Sequence, residues 1–239
     1  MTTETAPVSP NGHDLAIRIV PIDLVIFDCG GVLVDSEAIS DRVLAEMLSE
    51  QGLVTTPADA RRDYRGKILR DVVRIAERRL GDALPDGWAG EFERKRAEAF
   101  ARELLPVPGA AEVVTGVRAA GVEVCVASQG TLAKTRLALG LTGLRRLFDD
   151  EALFSAESIR RAKPHPDLLL YVADCRECAA SRCAVVEDSP SGIKAAVSAK
   201  MPAFAYAGDT DSGERKRLKA AGAKEVMNSL EELPELLGL

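Results

Sequence analysis

Along this chain, short unbroken apolar runs alternate with longer stretches in which apolar residues return every third or fourth position. Leu24-Val25-Ile26-Phe27, led in by Ile22 and Asp23, is the first run. Rich in β-branched residues, it reads as a strand buried on both faces. Residues 122–127, the region of Phe154, residues 183–186, 203–207 and 224–227 read as further strands, and a short strand is predicted at 15–20. Helical periods fall between them, at 110–120, 131–139, 164–172, 193–199 and 212–221, and the chain ends in another. Residues 36–104 break this alternation. Ile39, Val43, Leu44, Met47 and Leu48 recur at helical spacing up to Gly52, a short helix opens at Pro57, Ile68 to Leu80 repeat up to Gly81, and an amphipathic helix spans about 86–105. The pattern predicts an α/β fold: a doubly wound parallel sheet with an inserted all-helical domain. Its predicted parts are an N-terminal extension (1–20), a core (21–35 and 105–239) and the insert (36–104).

Polar residues interrupt the apolar runs at their ends. Asp28 closes the first strand and is followed by Cys29 and two glycines, Gly30 and Gly31; Ser128 closes the next; Lys163 stands in a loop before Pro164; Glu187 and Asp188 close the strand at 183–186. In open α/β sheets these carboxyl ends meet in one crevice. Taken singly, each residue has a structural explanation: Asp28 bonded to its own loop, Ser128 capping the next helix, Lys163 solvated, Asp188-Ser189-Pro190 starting a helix. As a set they offer a nucleophile, a hydroxyl, a cation and further carboxylates. Carboxylates with backbone oxygens suit Mg²⁺, and Lys and Ser suit phosphoryl oxygens, so the joint reading is metal-assisted phosphoryl transfer.

Composition narrows the partners. A net charge of −6 argues against a nucleic-acid binder, so a phosphorylated substrate needs a local cationic cluster. No apolar run approaches the ~20 residues of a membrane span, and residues 1–10 lack the basic and apolar segments of a secretory signal. Five cysteines without such a signal point to a reducing cytoplasm. Cys175, Cys178 and Cys183 have no fourth ligand at a familiar zinc spacing, so reduced thiols are expected there.

The stretch Phe27-Asp28-Cys29-Gly30-Gly31-Val32-Leu33-Val34-Asp35-Ser36-Glu37 resembles the first motif of the haloacid dehalogenase superfamily, in its phosphatase and β-phosphoglucomutase branch. Val126-Ala127-Ser128 resembles the second motif, Lys163-Pro164-His165-Pro166-Asp167 the third, and Val185 to Gly192 the fourth; the helical insert lies where that family carries its cap. The resemblance covers nearly all of the chain from residue 22. It implies that Asp28 forms an aspartyl-phosphate, and that Ser128, Gln129 and Lys163 hold the phosphoryl group. It also implies Mg²⁺ bound by Asp28, the Gly30 carbonyl and Asp188, with Glu187 beside them as a further metal-ligand candidate. In the cap, Tyr64 to Arg70 resembles the substrate-facing loop, where Arg65 and Lys67 would meet hydroxyls or a second anionic group; a solvated basic turn is the alternative.

One position departs from the family. Gly30 stands where its second Asp protonates the leaving alcohol and then activates water, a contribution of about 10²–10⁴ in rate. Three explanations are open: a variant altered at this position, a natural member with different chemistry, or a binding protein that kept its site. Phosphonate hydrolases and haloacid dehalogenases also lack this Asp, but Lys67 is offset from the Schiff-base lysine of the former, and the latter lack the Glu-Asp pair found here at 187 and 188. His165, between two prolines, is a weak candidate for replacement proton carrier. The resemblance therefore implies an Mg²⁺-dependent phosphatase of small phosphorylated metabolites such as sugar phosphates, impaired at Gly30, with Gly30→Asp expected to restore about two orders of magnitude. A phosphosugar mutase and a non-catalytic phosphometabolite binder are the alternatives.

Overall fold

The structure, a computed structural model, describes residues 21–208 and 212–239; the strand predicted at 15–20 lies outside them. Six strands form one parallel sheet: β1 (Leu24–Phe27), β2 (Glu123–Ser128), β3 (Leu153–Ser155), β4 (Cys183–Glu187), β5 (Ala203–Tyr206) and β6 (Glu225–Met227). They lie in the order β3-β2-β1-β4-β5-β6. The chain builds outward from β1 through β2 to β3, then returns to the other side of β1 for β4, β5 and β6, so the switch point falls at β1. Phe27 pairs with Val126 of β2 and with Val186 of β4, which brings the ends of these three strands level. All four residues of β1 are fully buried. Neighbours along a strand point to opposite faces, so both faces of the sheet are covered here.

Four helices occupy the insert: α1 (Glu37–Glu50), α2 (Pro57–Tyr64), α3 (Leu69–Leu80) and α4 (Trp88–Glu103). Thr56 caps α2 in a reciprocal box with Asp59, with Pro57 at the first helical position, where its missing N–H costs nothing. Gly81, left-handed at φ 77°, ends α3. No strand lies among the described residues between 37 and 103. The chain leaves and re-enters the core side by side: Asp35 N donates to Leu105 O at 3.0 Å and Val107 N to Leu33 O at 3.0 Å. The core helices are α5 (Ala110–Ala119), α6 (Leu132–Leu141), α7 (Asp167–Cys175), α8 (Pro190–Ser198), α9 (Ser212–Ala220) and α10 (Leu233–Leu237). Two of them start elsewhere than the apolar period suggests. α7 begins three residues late, after a turn in which His165 N bonds Ala162 O. α8 begins three residues early, because Ser189 caps it through Gly192 N and Pro190 follows the cap. No described helix is long and apolar enough to cross a membrane.

Candidate active site

β1 delivers Asp28 one residue past its end, anchored by Asp28 N donating to Val186 O at 2.9 Å. The following loop folds back on itself: Leu33 N and Val34 N both bond Cys29 O, and Gly31 N bonds Val34 O at 2.8 Å. No described donor takes the Gly30 carbonyl. Gly31 has φ 77°, and a Cβ there would overlap Asp188 Oδ2, so glycine is required both by the backbone and by the close approach of the β4 loop.

Lys163 lies at the centre. Its ammonium, buried, donates to Asp28 Oδ1 at 2.7 Å, Glu187 Oε1 at 2.6 Å and Ala127 O at 2.8 Å, so all three of its hydrogens are used. Burial opposes its charge, but the two carboxylates outweigh burial and hold the lysine above its usual range. Glu187 is saturated: besides Lys163 it accepts from Asp188 N, Ser189 N and Ser189 Oγ, the last at 2.9 Å. A Cβ at Gly192 would overlap this carboxylate, which fixes glycine in the first turn of α8. Burial pushes Asp28 up to about 6, against the pull of Lys163. Burial also raises Asp188 well above the usual carboxylate range, against the pull of Arg65.

Arg65, just past α2, reaches across from the insert. It donates to Asp188 Oδ2 at 2.7 Å and its Nε lies 3.4 Å from Glu37 Oε2. Burial disfavours the guanidinium, yet Asp188 and Glu37 hold its charge. The loop after β2 meets the same corner. Gln129 Nε2 donates to Gly66 O and, at 3.5 Å, to Lys163 O, while Ser191 Oγ donates to Gly66 O at 3.3 Å. Ser128 Oγ accepts from Gly130 N at 3.0 Å, which leaves its hydroxyl proton available. Thr131, not Ser128, caps α6.

These groups surround a cavity of about 380 Å³ between core and insert. Asp28, Gly30, Ser128, Gln129, Glu187 and Asp188 line its floor, and Arg65 and the exposed Lys67 its insert side. His165 is exposed and does not line it. The sequence reading missed three residues of this wall. Glu37 stands in the quoted motif, but nothing in its spacing gave it a role. Asp41 and Arg96 are buried on insert helices, where charged residues of an amphipathic pattern are normally assigned to solvent.

The donor set bears on Mg²⁺. Among the described residues no group of three His, Cys, Asp or Glu side chains forms a ready metal cage. Asp28 Oδ2, Asp188 Oδ1 and the Gly30 carbonyl are nonetheless hard oxygens with no described hydrogen-bond donor on them. Such a set fits an ion that keeps several waters and takes further ligands from a phosphate. Glu187, expected from the sequence among the metal ligands, has both oxygens occupied by protein donors and instead holds Lys163 and the start of α8.

A family model described as haloacid dehalogenase-like hydrolase matches residues 22–200. The chain is 30% identical over 216 residues to 6-phosphogluconate phosphatase of Escherichia coli, covering 90% of this chain and 94% of that protein. It is 27% identical over 210 residues to hexitol phosphatase A of the same organism, covering 87% and 91%. Among solved structures, a conserved haloacid dehalogenase-like protein of unknown function from Agrobacterium tumefaciens matches with a TM-score of 0.77 and 27% identity, covering 91% of this chain and 98% of that one.

Proposed function

This chain belongs to the haloacid dehalogenase-like hydrolases, and we propose that within that family it is an Mg²⁺-dependent phosphatase of small phosphorylated carbohydrates, working through an aspartyl-phosphate at Asp28. One observation carries this reading: Asp28 is held beside a buried lysine on the floor of a cavity roofed by the helical insert. Lys163 anchors Asp28 through Oδ1 and so orients its carboxylate for in-line attack on phosphorus. Ser128, with its hydroxyl proton free, offers a hydrogen bond to the phosphoryl oxygens, whereas Lys163, expected from the sequence to hold them, has its three hydrogens engaged by Asp28, Glu187 and Ala127 and contributes through its charge and its hold on Asp28. Asp28, the Gly30 carbonyl and Asp188 would hold Mg²⁺, which would supply charge neutralisation between the carboxylates and the phosphoryl group. Residues 36–104 act as a cap, hinged near 35–36 and 105–108, whose Arg65 and Lys67 contact the rest of the substrate. Position 30 contributes no proton, so alkyl esters are hydrolysed poorly unless another acid lies beside Asp28.

The test is phosphate release from a panel of phosphorylated sugars, sugar acids and alditols with Mg²⁺, for this chain and for Asp28→Asn. Release from at least one compound, lost in Asp28→Asn, is expected. A panel that is bound but not hydrolysed, even by Gly30→Asp, would overturn the reading in favour of a binding protein.

A further inference from the structure

With Lys163 fully engaged, the phosphoryl group lacks a cation to bind it, and a second lysine lies close by. Lys134, in the first turn of α6, is half-buried and lines the cavity with Asp28 and Ser128. Its stem folds back over the loop after β2. An ideal Cβ built on Gly130 would lie 2.8 Å from Lys134 Cδ, 3.5 Å from its Nζ and 3.4 Å from Ser128 Oγ. Ammonium and hydroxyl therefore flank one spot, and the glycine leaves room for the stem. The loop beneath is fixed: Gly130 N donates to Ser128 Oγ at 3.0 Å, and Gly130 O accepts from Ser155 Oγ at 2.7 Å. Burial, then the charge of Asp28, pushes the Cys29 thiol up to about 12, and Lys134 opposes the rise, so its charge reaches the residue next to Asp28. Among the described residues the ammonium has no hydrogen-bond acceptor and no carboxylate at ion-pair distance. Other cations of the site are engaged: Lys163 by Asp28 and Glu187, Arg65 by Asp188, and Arg96 by Glu93 at 3.1 Å. Lys67, Arg70 and Arg160 are exposed. A lysine in a first turn also opposes the helix macrodipole, and no acid stands in that turn of α6 to offset it. The carboxylate at that end, Glu157, accepts from Leu132 N at 2.8 Å and forms no ion pair with Lys134. Local structure gains nothing from this charge; an anionic ligand would.

We propose that Lys134 is the cation that grips the phosphoryl group, binding one of its oxygens while Ser128 binds another. The inference rests on the phosphatase reading above and divides the work between two lysines: Lys163 holds the nucleophile, Lys134 the group to be transferred. Charge-assisted hydrogen bonds of about 2.7–2.9 Å let the ammonium and the hydroxyl reach two oxygens of one phosphoryl group seated over Gly130. Tied to no carboxylate, the flexible stem of Lys134 follows its oxygen as phosphorus passes from the ester to Asp28. The phosphoryl group is common to every substrate, so Lys134 acts on all of them alike. Arg65 and Lys67 of the insert meet the part that differs between them.

The experiment compares the full chain with Lys134→Met and Lys134→Arg. Calorimetry with Mg²⁺ present measures the affinity of inorganic phosphate. Kinetics give kcat/KM on a nitrophenyl phosphate, on a phosphorylated alditol with a neutral tail and on a phosphorylated sugar acid with a carboxylate tail. Lys134→Met should weaken inorganic phosphate by about 10–100-fold, the worth of a hydrogen bond from a charged group. It should lower kcat/KM by a similar factor on all three esters, because they share the phosphoryl group. Lys134→Arg, which keeps the charge, should recover most of the phosphate affinity. Phosphate affinity in Lys134→Met within about threefold of the parent would overturn the proposal, since the expected loss exceeds it. So would a loss confined to the sugar acid, which would place Lys134 at the tail of the substrate. A loss that Lys134→Arg shares in full, with an equal fall in Tm, would also overturn it, the mark of a stem that only packs on the Gly130 loop. If neither the parent nor Gly30→Asp binds inorganic phosphate or releases nitrophenol, the phosphatase reading itself fails, and this inference with it. Should Lys134→Met fail to fold, Lys134→Gln carries the same contrast.

Discussion

Replacing Lys163 with methionine tests the centre of the site through stability before any substrate is known. The ammonium is 1% exposed and its three hydrogens meet Asp28, Glu187 and the Ala127 carbonyl within 2.8 Å. Methionine keeps most of the stem but leaves two carboxylates facing each other without the cation between them. Removing one partner of a buried ion pair costs about 3–5 kcal/mol. Proton uptake by one carboxylate limits the loss to that range although two acids are stranded. For a domain of this size each kcal/mol shifts Tm by about 2–4 °C, so the expected fall is roughly 6–20 °C. Melting followed by circular dichroism, with urea midpoints at fixed pH, measures it. Lys163→Met/Glu187→Gln should lose less than the sum of the single changes, since the second removes an uncompensated charge made by the first; couplings of about 0.5–3 kcal/mol are usual for such neighbours. A loss below about 1 kcal/mol, the worth of an exposed pair, would refute the buried cluster.

Two further outcomes follow from the same wall. Asp188→Ala should abolish Mg²⁺ binding by calorimetry, and unchanged affinity would remove Asp188 from the ligand set. Burial, then the charge of Glu37, pushes Asp41 up to about 7 from 3.8, so the native chain keeps a proton that the unfolded chain has already lost, and stability falls as pH rises between those values. Asp41→Asn should therefore raise Tm relative to the parent at pH 8 and not at pH 4; an equal effect at both would count against that burial.

Much of the fold was legible because period and strand ends are local properties. β1 reads directly as a run buried on both faces, and the strand-end rule brings Asp28, Lys163 and Glu187 together although 135 residues separate the first two. Helix starts were less legible. α8 is set by the Ser189 cap and Pro190, not by its first apolar residue. Contacts between insert and core were legible only through the family resemblance, which turned the Tyr64–Arg70 loop toward the site without giving its partners. Arg65 reaches Asp188 across 123 residues, and whether a basic turn faces solvent or a carboxylate depends on how the insert sits on the sheet, which no periodicity records. The same holds for Glu187: a strand-end carboxylate reads as a metal ligand until its four donors are seen. Asp41 and Arg96 escape the amphipathic pattern because the cavity supplies a polar interior, so their helices bury charged faces as well as apolar ones.

The two glycines after Cys29 separate what the fold needs from what the chemistry needs. Gly31 lies at φ 77° and its missing Cβ makes room for Asp188, so a side chain there would strain the backbone and displace a carboxylate on the cavity floor. Gly30 has no positive φ, and a Cβ there would lie 2.7 Å from the end of Glu37 and 2.7 Å from the hydroxyl of the buried Ser36, so those side chains and not the main chain must shift. Nothing in the main chain demands glycine at position 30. An Asp can be placed there without rebuilding the loop, which makes Gly30→Asp a readable substitution and not a folding experiment. The side chains it would have to move are those of Glu37 and Ser36. A rise of about 100-fold in alkyl-ester turnover in Gly30→Asp would show that position 30 lacks the proton donor, and unchanged turnover would refute it, because Asp28 and Lys163 are left in place.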